Sequence, residues 1–181
     1  MAINIAVSAR RMFTLPADLP AARTQFRDFR QTLRYLPDLR LVKTYAPDWY
    51  RILYSAAQAG VYRVNLYSDI QARFDEAEDT FYVTPLNGFP AVASKATLVS
   101  LTSQGDYSSR LRLSAAGERT NAEYEVRIRA TLPKPVGLKL IPDPAVRLFI
   151  ERVVRRRVQE LADEFIRRST AALHAQRPNP G

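Results

Sequence analysis

The chain is predicted to fold as an α+β domain in which an antiparallel sheet with one apolar face is covered by one long C-terminal helix, with one or two short helices after the first strand. Three observations carry this expectation: a long central stretch of two-residue hydrophobic alternation, a change of period at Asp143-Pro144, and an unbroken helical pattern from Val146 to Leu173. A sheet with one apolar face needs a cover, and a single amphipathic helix of that length supplies it.

The elements follow in order. Residues 3–14 read as a strand with Ile3, Ile5 and Val7 on one side. Leu15-Pro16-Ala17-Asp18 stops it, with Asp18 as an N-cap and Pro20 in the first helical turn. Leu19, Ala22, Phe26, Phe29, Leu33 and Leu36 then recur in steps of three and four, the face of one helix or of two short ones, until Pro37 ends it. Further strands are expected over residues 39–45, 49–55, 61–74, 80–86, 91–103, 107–115 and 121–132. Pro47-Asp48, Gly60, an acidic turn at 75–79, Asn87-Gly88, Gly105-Asp106 and Gly117 separate them. Connections this short favour an antiparallel meander with one dry face. A proline-spaced connector from Pro133 to Pro142 leads into the last helix, where Asp143 caps and Pro144 takes the first position. Residues 1–174 are read as a single domain and 175–181 as a flexible tail.

Composition removes several classes of function. The absence of cysteine excludes disulfides, thiolate metal sites and cysteine nucleophiles. His174, the one histidine, stands at the end of the last helix, so serine–histidine hydrolysis is disfavoured. No metal-ligand spacing, Gly-rich phosphate loop or dinucleotide fingerprint occurs, so no catalytic residue, metal or cofactor is assigned. Asp75, Glu76, Glu78 and Asp79 lack the spacing and glycine of a calcium loop and are read as a solvated turn. No stretch approaches the roughly 20 apolar residues of a membrane span, and the N-terminus lacks a leader pattern, so a cytoplasmic protein is expected.

The formal charge of +9 is concentrated at the two ends: residues 1–60 hold nine cations against four anions, 61–142 ten against nine, and 143–181 eight against five. Arg23, Arg27, Arg30 and Arg34, spaced 4-3-4 beside the first helical stripe, form a candidate basic surface for anionic phospholipid headgroups or nucleic acid. Arg155-Arg156-Arg157 is a second basic group. The competing reading is a solvated helix face, with Glu151–Arg155 and Asp163–Arg167 as i,i+4 pairs. Nucleic acid is disfavoured, because no recognisable reading module is present.

Alternation over residues 61–74 puts Tyr62, Val64, Leu66, Ser68, Ile70, Ala72 and Phe74 inward and Arg63, Asn65, Asp69, Gln71 and Arg73 outward. Over 91–103 it puts Val92, Ser94, Ala96, Leu98 and Ser100 inward. Many of these side chains are small, which leaves room under the helix for an apolar guest. Tyr62 and Tyr124 are the expected polar handles, since buried phenols need partners. The candidate ligand-binding residues are Tyr62, Leu66, Ser68, Ser94, Leu98, Tyr124, Ile128, Phe149 and Val153. The competing reading is an interior filled by Phe149 and Phe165.

The stretch Phe26-Arg27-Asp28-Phe29 through Tyr35-Leu36-Pro37, and Leu132-Pro133 through Ile141-Pro142 into Arg152-Val153-Val154, give the chain an element order that resembles the START-like superfamily. This helix-grip group, also called the polyketide cyclase and birch pollen allergen type (SRPBCC), is matched over about residues 3 to 174. The resemblance is one of architecture, since none of these residues is a catalytic signature. It implies a helix-grip fold, a curved antiparallel sheet wrapped around the last helix, with a cavity between them that in this superfamily commonly holds a lipid, sterol, polyketide or other apolar ligand. Non-catalytic binding or transport of a hydrophobic small molecule or lipid is the expected function. A cyclase- or dehydratase-like enzyme in the same cavity is the second reading, and a basic adaptor for anionic membranes or nucleic acid the third.

Overall fold

In a computed structural model, which describes residues 2–58, 62–138 and 140–176, the N-terminal alternation forms β1 (Ala2–Leu15). Ile3, Ile5, Val7 and Ala9 are buried and the residues between them exposed, so one face of this edge strand is dry. The Asp18 carboxylate accepts from the Ala21 N–H at 3.0 Å and starts α1 (Leu19–Phe26). Asp28 accepts from the Arg30 N–H at 2.8 Å and starts α2 (Phe29–Leu33), so the first helical region is a pair of short helices.

The chain then forms β2 (Leu39–Ala46), β3 (Trp49–Gln58), β4 (Tyr62–Asp75), β5 (Thr80–Pro85), the two-residue β6 (Lys95–Ala96), β7 (Ser100–Ala116) and β8 (Arg119–Pro133). Their order across the sheet is β1-β8-β7-β5-β4-β3-β2, with β6 paired to β7. A pure meander does not describe it: β5 is short, and past its end β7 pairs directly with β4 in parallel, Val64 opposite Leu101. After a 3-10 turn at Val136–Leu138, α3 (Asp143–Gln176) runs for about 50 Å over the dry face. Lys134 secures its start by donating to Asp143 Oδ1 and to the Ile141 carbonyl, each at 2.8 Å. Of the expected tail, residues 175 and 176 complete α3; 177–181 lie outside the described residues, as do Gly60 and Val61 of the β3–β4 connection.

The second half of α3 packs tightly. Val158, Leu161, Ala162, Phe165, Ser169 and Leu173 are all buried against the sheet and α1. Phe165 is the centre of this region, its ring stacked on Tyr124 at 4.3 Å and 5.9 Å from that of Phe26.

The expected strand over 91–103 and turn at Gly105-Asp106 are corrected. Residues 86–94 leave the sheet, while β7 runs straight through Gly105. The glycine serves close packing: a Cβ there would stand 2.5 Å from the Arg129 carbonyl oxygen and 2.7 Å from the Ala130 Cβ. The 86–94 segment folds back as a strap over the outer face of the sheet, where Phe89 stacks on Tyr45 at 3.9 Å and meets Trp49 edge-on. Asp69 faces outward, as the alternation predicts, yet is buried in the strap's anchorage. Arg51 donates to both Asp69 oxygens at 2.7 Å and to the Pro90 carbonyl at 2.7 Å. Gln104 donates to Asp69 at 3.1 Å and accepts from the Val92 N–H at 2.7 Å. Among the described residues no helix is long and apolar enough to cross a membrane.

Candidate ligand-binding site

The first half of α3 packs less closely than the second. Val146 and Ile150 are buried, but Val153 and Val154 are only half-buried, and beneath them lies an apolar cavity of about 60 Å³. Its helix wall is Val153, Val154, Arg157, Val158 and Leu161; its sheet wall is Ile5, Tyr54, Val64, Leu66, Ile128 and Leu132. Strand register places small residues next to two residues of the sheet wall. Ala130 lies between Ile128 and Leu132 on the dry face of β8, and its partner on β7 is Gly105, so the two smallest side chains of the region meet there.

The cavity joins a polar cleft of about 420 Å³ through three shared residues, Tyr54, Arg157 and Leu161. Asp38 and Glu160 also line the cleft. Arg157 donates to Glu160 Oε2 at 2.8 Å and to the Ala57 carbonyl at 3.4 Å, tying α3 to the end of β3. Hydrogen bonds from Arg156, with the charge of Arg157, hold the Glu160 carboxyl below the usual range. Burial, with the Asp38 carboxylate as second cause, pushes the Tyr54 phenol up to about 12. The folded state therefore favours the neutral phenol more than the unfolded chain does. That contribution is complete below pH ~10 and is lost as pH rises through the folded value. Tyr54→Phe is expected to make the fall in stability above pH ~10 shallower in denaturant titrations. Superimposable alkaline limbs would show that the phenol is not desolvated.

Of the sequence-derived candidates, Leu66, Ile128 and Val153 line the cavity. Tyr62 lies on the same face of β4, its hydroxyl buried and without a hydrogen-bond partner among the described residues; burial raises its pKa. Ser68 is buried on that face one pleat beyond Leu66. Tyr124 belongs to the tightly packed region, its hydroxyl 3.3 Å from that of Tyr107, and burial raises its pKa well above the ordinary value. Three candidates stand apart from the cavity. Ser94 is exposed on the strap with its hydroxyl 3.1 Å from that of Ser103, and Leu98 is 76% exposed in the β6–β7 turn, because no continuous strand runs from 91 to 103. Phe149 is 59% exposed: it falls about 100° around α3 from Ile150 and turns away from the sheet. Sequence reasoning missed Tyr54, Ile5, Leu132 and Arg157. The alternation of Tyr50, Ile52 and Tyr54 was available, but which residue faces Leu66 depends on register, and register is not written in a single strand.

The arginine cluster is partly neutralised. Arg23 pairs with Asp79 through two hydrogen bonds, and Arg27 Nη2 reaches Glu76 at 2.5 Å, so the acidic β4–β5 turn is a hairpin exposed at Glu76 and Glu78, as expected, and also a partner for α1 and its C-cap. Arg30 donates to Thr44 Oγ1 at 3.3 Å, and Arg34 is exposed.

This arrangement of strands and helices recurs in solved structures. A Thermus thermophilus protein superposes with a TM-score of 0.54 over 92% of this chain and 98% of its own, at 16% identity. A conserved protein of Geobacillus kaustophilus gives 0.56 over 97% and 96% at 11% identity. The di-domain ARO/CYC protein StfQ of the steffimycin biosynthetic pathway gives 0.55 over 94% of this chain and 51% of that one, at 11% identity. The fold is the START-like helix grip. In this helix grip the sheet closes on the second half of α3 and leaves the first half over the void. At these identities the likeness is one of fold alone. Neither a protein-family model nor a curated protein matches the chain.

Proposed function

We propose that the chain binds a hydrophobic small molecule or lipid, without catalysis, in the space between the sheet and the first half of α3. The observation that supports this reading is the dry void under the helix. Interiors pack to crystal-like density and voids destabilise, so an apolar hole beside loosely packed Val153 and Val154 is a cost that binding a guest offsets. At about 60 Å³ the cavity is far smaller than the roughly 300–1,000 Å³ of ordinary ligand pockets, so loading requires the first half of α3 to lift from β4 and β8. The Tyr62 hydroxyl, buried without a partner among the described residues, gives an apolar guest one polar group to meet.

Native mass spectrometry of protein purified from cells tests the reading directly. An added mass removed by organic extraction is expected, together with binding of an environment-sensitive apolar dye. Val153→Phe fills the void and is expected to weaken dye binding at least about tenfold with little change in stability. Dye binding unaffected by Val153→Phe, in protein that carries no extractable mass, would sink the proposal.

A cyclase- or dehydratase-like enzyme is the second reading, favoured by the buried Tyr107–Tyr124 hydroxyl pair, which lies under the second half of α3 and not in the lining of the cavity. Burial raises both phenols, so they serve as neutral hydrogen-bond donors and not as bases near neutral pH. Turnover of a polyketide-like probe that Tyr62→Phe or Tyr124→Phe abolishes would establish it.

A further inference from the structure

The end of the molecule at which α3 begins exposes an unusual amount of apolar surface. Leu140 is fully exposed, Leu148 is 68% exposed and Phe149 59%, and Ile141 is exposed beside them. Covalent spacing makes these one patch: they occupy the last turn of the connector and the first two turns of α3. Large residues concentrated in this way are uncommon on a free surface and mark a contact site.

Charge identifies what the patch contacts. Along the first half of α3, Leu148, Phe149, Arg152, Arg155 and Arg156 fall within one outward arc at 100° per residue, and no carboxylate of residues 143–159 lies inside that arc. The pair that sequence spacing suggested for Arg155 does not form: Glu151 is taken by Arg147 at 2.9 Å. Arg152 and Arg155 have no ion-pair partner among the described residues, and Arg156 holds Glu160 at 2.8 Å. A helix face with leucine and phenylalanine flanked by arginines that lack counter-charges has the chemistry of an interfacial helix. A protein partner would need acids matched to each arginine, whereas an anionic lipid surface presents them everywhere.

We infer that the first half of α3, with Leu140 and Ile141, docks on an anionic lipid surface. Phe149 and Leu148 enter the headgroup boundary while Arg152 and Arg155 meet lipid phosphates. The site differs from the α1–α2 arginines, two of which the acidic β4–β5 turn neutralises. Docking in this place brings the half of the helix that roofs the cavity to the membrane.

Cosedimentation of the full chain with guest-free vesicles tests the inference, so its failure leaves the cavity reading untouched. Binding is expected to vesicles of mixed phosphatidylglycerol and phosphatidylcholine and not to phosphatidylcholine alone. Arg152→Gln/Arg155→Gln should weaken it roughly thirtyfold, the effect of two cations at the surface. Arg30→Gln/Arg34→Gln removes the same charge elsewhere and should weaken it less than threefold. Phe149→Ser/Leu148→Ser should abolish it while leaving the melting temperature unchanged, since both side chains are exposed. Absence of binding to the anionic vesicles, equal losses in the two arginine variants, or concentration-dependent dimerisation through Phe149 in place of vesicle binding would each overturn the inference.

Discussion

Phe165→Ala is expected to destabilise the protein by about 3–5 kcal/mol, enough to lower the melting midpoint of a domain this size by roughly 10 °C or more. Phe165 is 1% exposed, and its ring is within 6.4 Å of Tyr35 as well as meeting Phe26 and Tyr124. Truncation removes a buried ring and leaves a hole walled by three other aromatics that strands and caps hold in place. Collapse around it is therefore limited. Phe149→Ala is the control, since the exposed ring of Phe149 contributes to no core and its loss should shift stability by less than about 0.5 kcal/mol. Thermal or urea melts of the two variants decide the matter. Equal midpoints for wild type and Phe165→Ala would mean that α3 does not close on the sheet as described.

These two phenylalanines show how far the sequence can be read. Both lie on the apolar stripe of the last helix, and spacing alone gives them the same role. The difference comes from how α3 meets the sheet. Its second half lies in the grip of β1, β8 and α1, while its first half lies over the cavity walled by Ile5, Leu66, Ile128 and Leu132 and leaves Phe149 outside. The last helix, its start near Asp143-Pro144, the helical face over residues 19–36 and the inward set of β4 are all local periodicities, and they are legible, whereas spacing leaves open the division of that face into two short helices. Strand partners are not local. Gly105 has a turn's composition but a packing role, and Asp69 has an outward position but a buried one. In both cases the deciding neighbour comes from another part of the chain. The acidic turn at 75–79 is a third instance: its counter-charges, Arg23 and Arg27, sit some fifty residues earlier.

The strap that buries Asp69 yields the second large effect. Asp69→Ala is expected to cost about 3–5 kcal/mol, because it leaves the Arg51 guanidinium, whose side chain is 14% exposed, without its carboxylate in a covered site. Most of that loss belongs to the stranded charge and not to the pair itself. Arg51→Met/Asp69→Leu should therefore be distinctly more stable than Asp69→Ala, although it removes both ionic partners. The loss also has a place. Asp69 is the acceptor for Arg51, Gln104 and, at 3.2 Å, the Tyr45 hydroxyl, and through Arg51 and Gln104 it fixes Pro90 and Val92. Limited proteolysis of Asp69→Ala should cut within residues 86–94 well before the rest of the chain unfolds. A cooperative loss of the whole sheet with no early cleavage there would show that Asp69 supports β3 and β4 and not the strap. The consequence reaches the cavity end of the sheet. The same connection continues through β6 to Val99, whose carbonyl accepts the Arg63 N–H at 2.9 Å beside the Val64 wall of the void. Freeing the strap therefore loosens β4 where α3 has to lift, and Asp69→Ala should accelerate dye uptake even as it lowers stability.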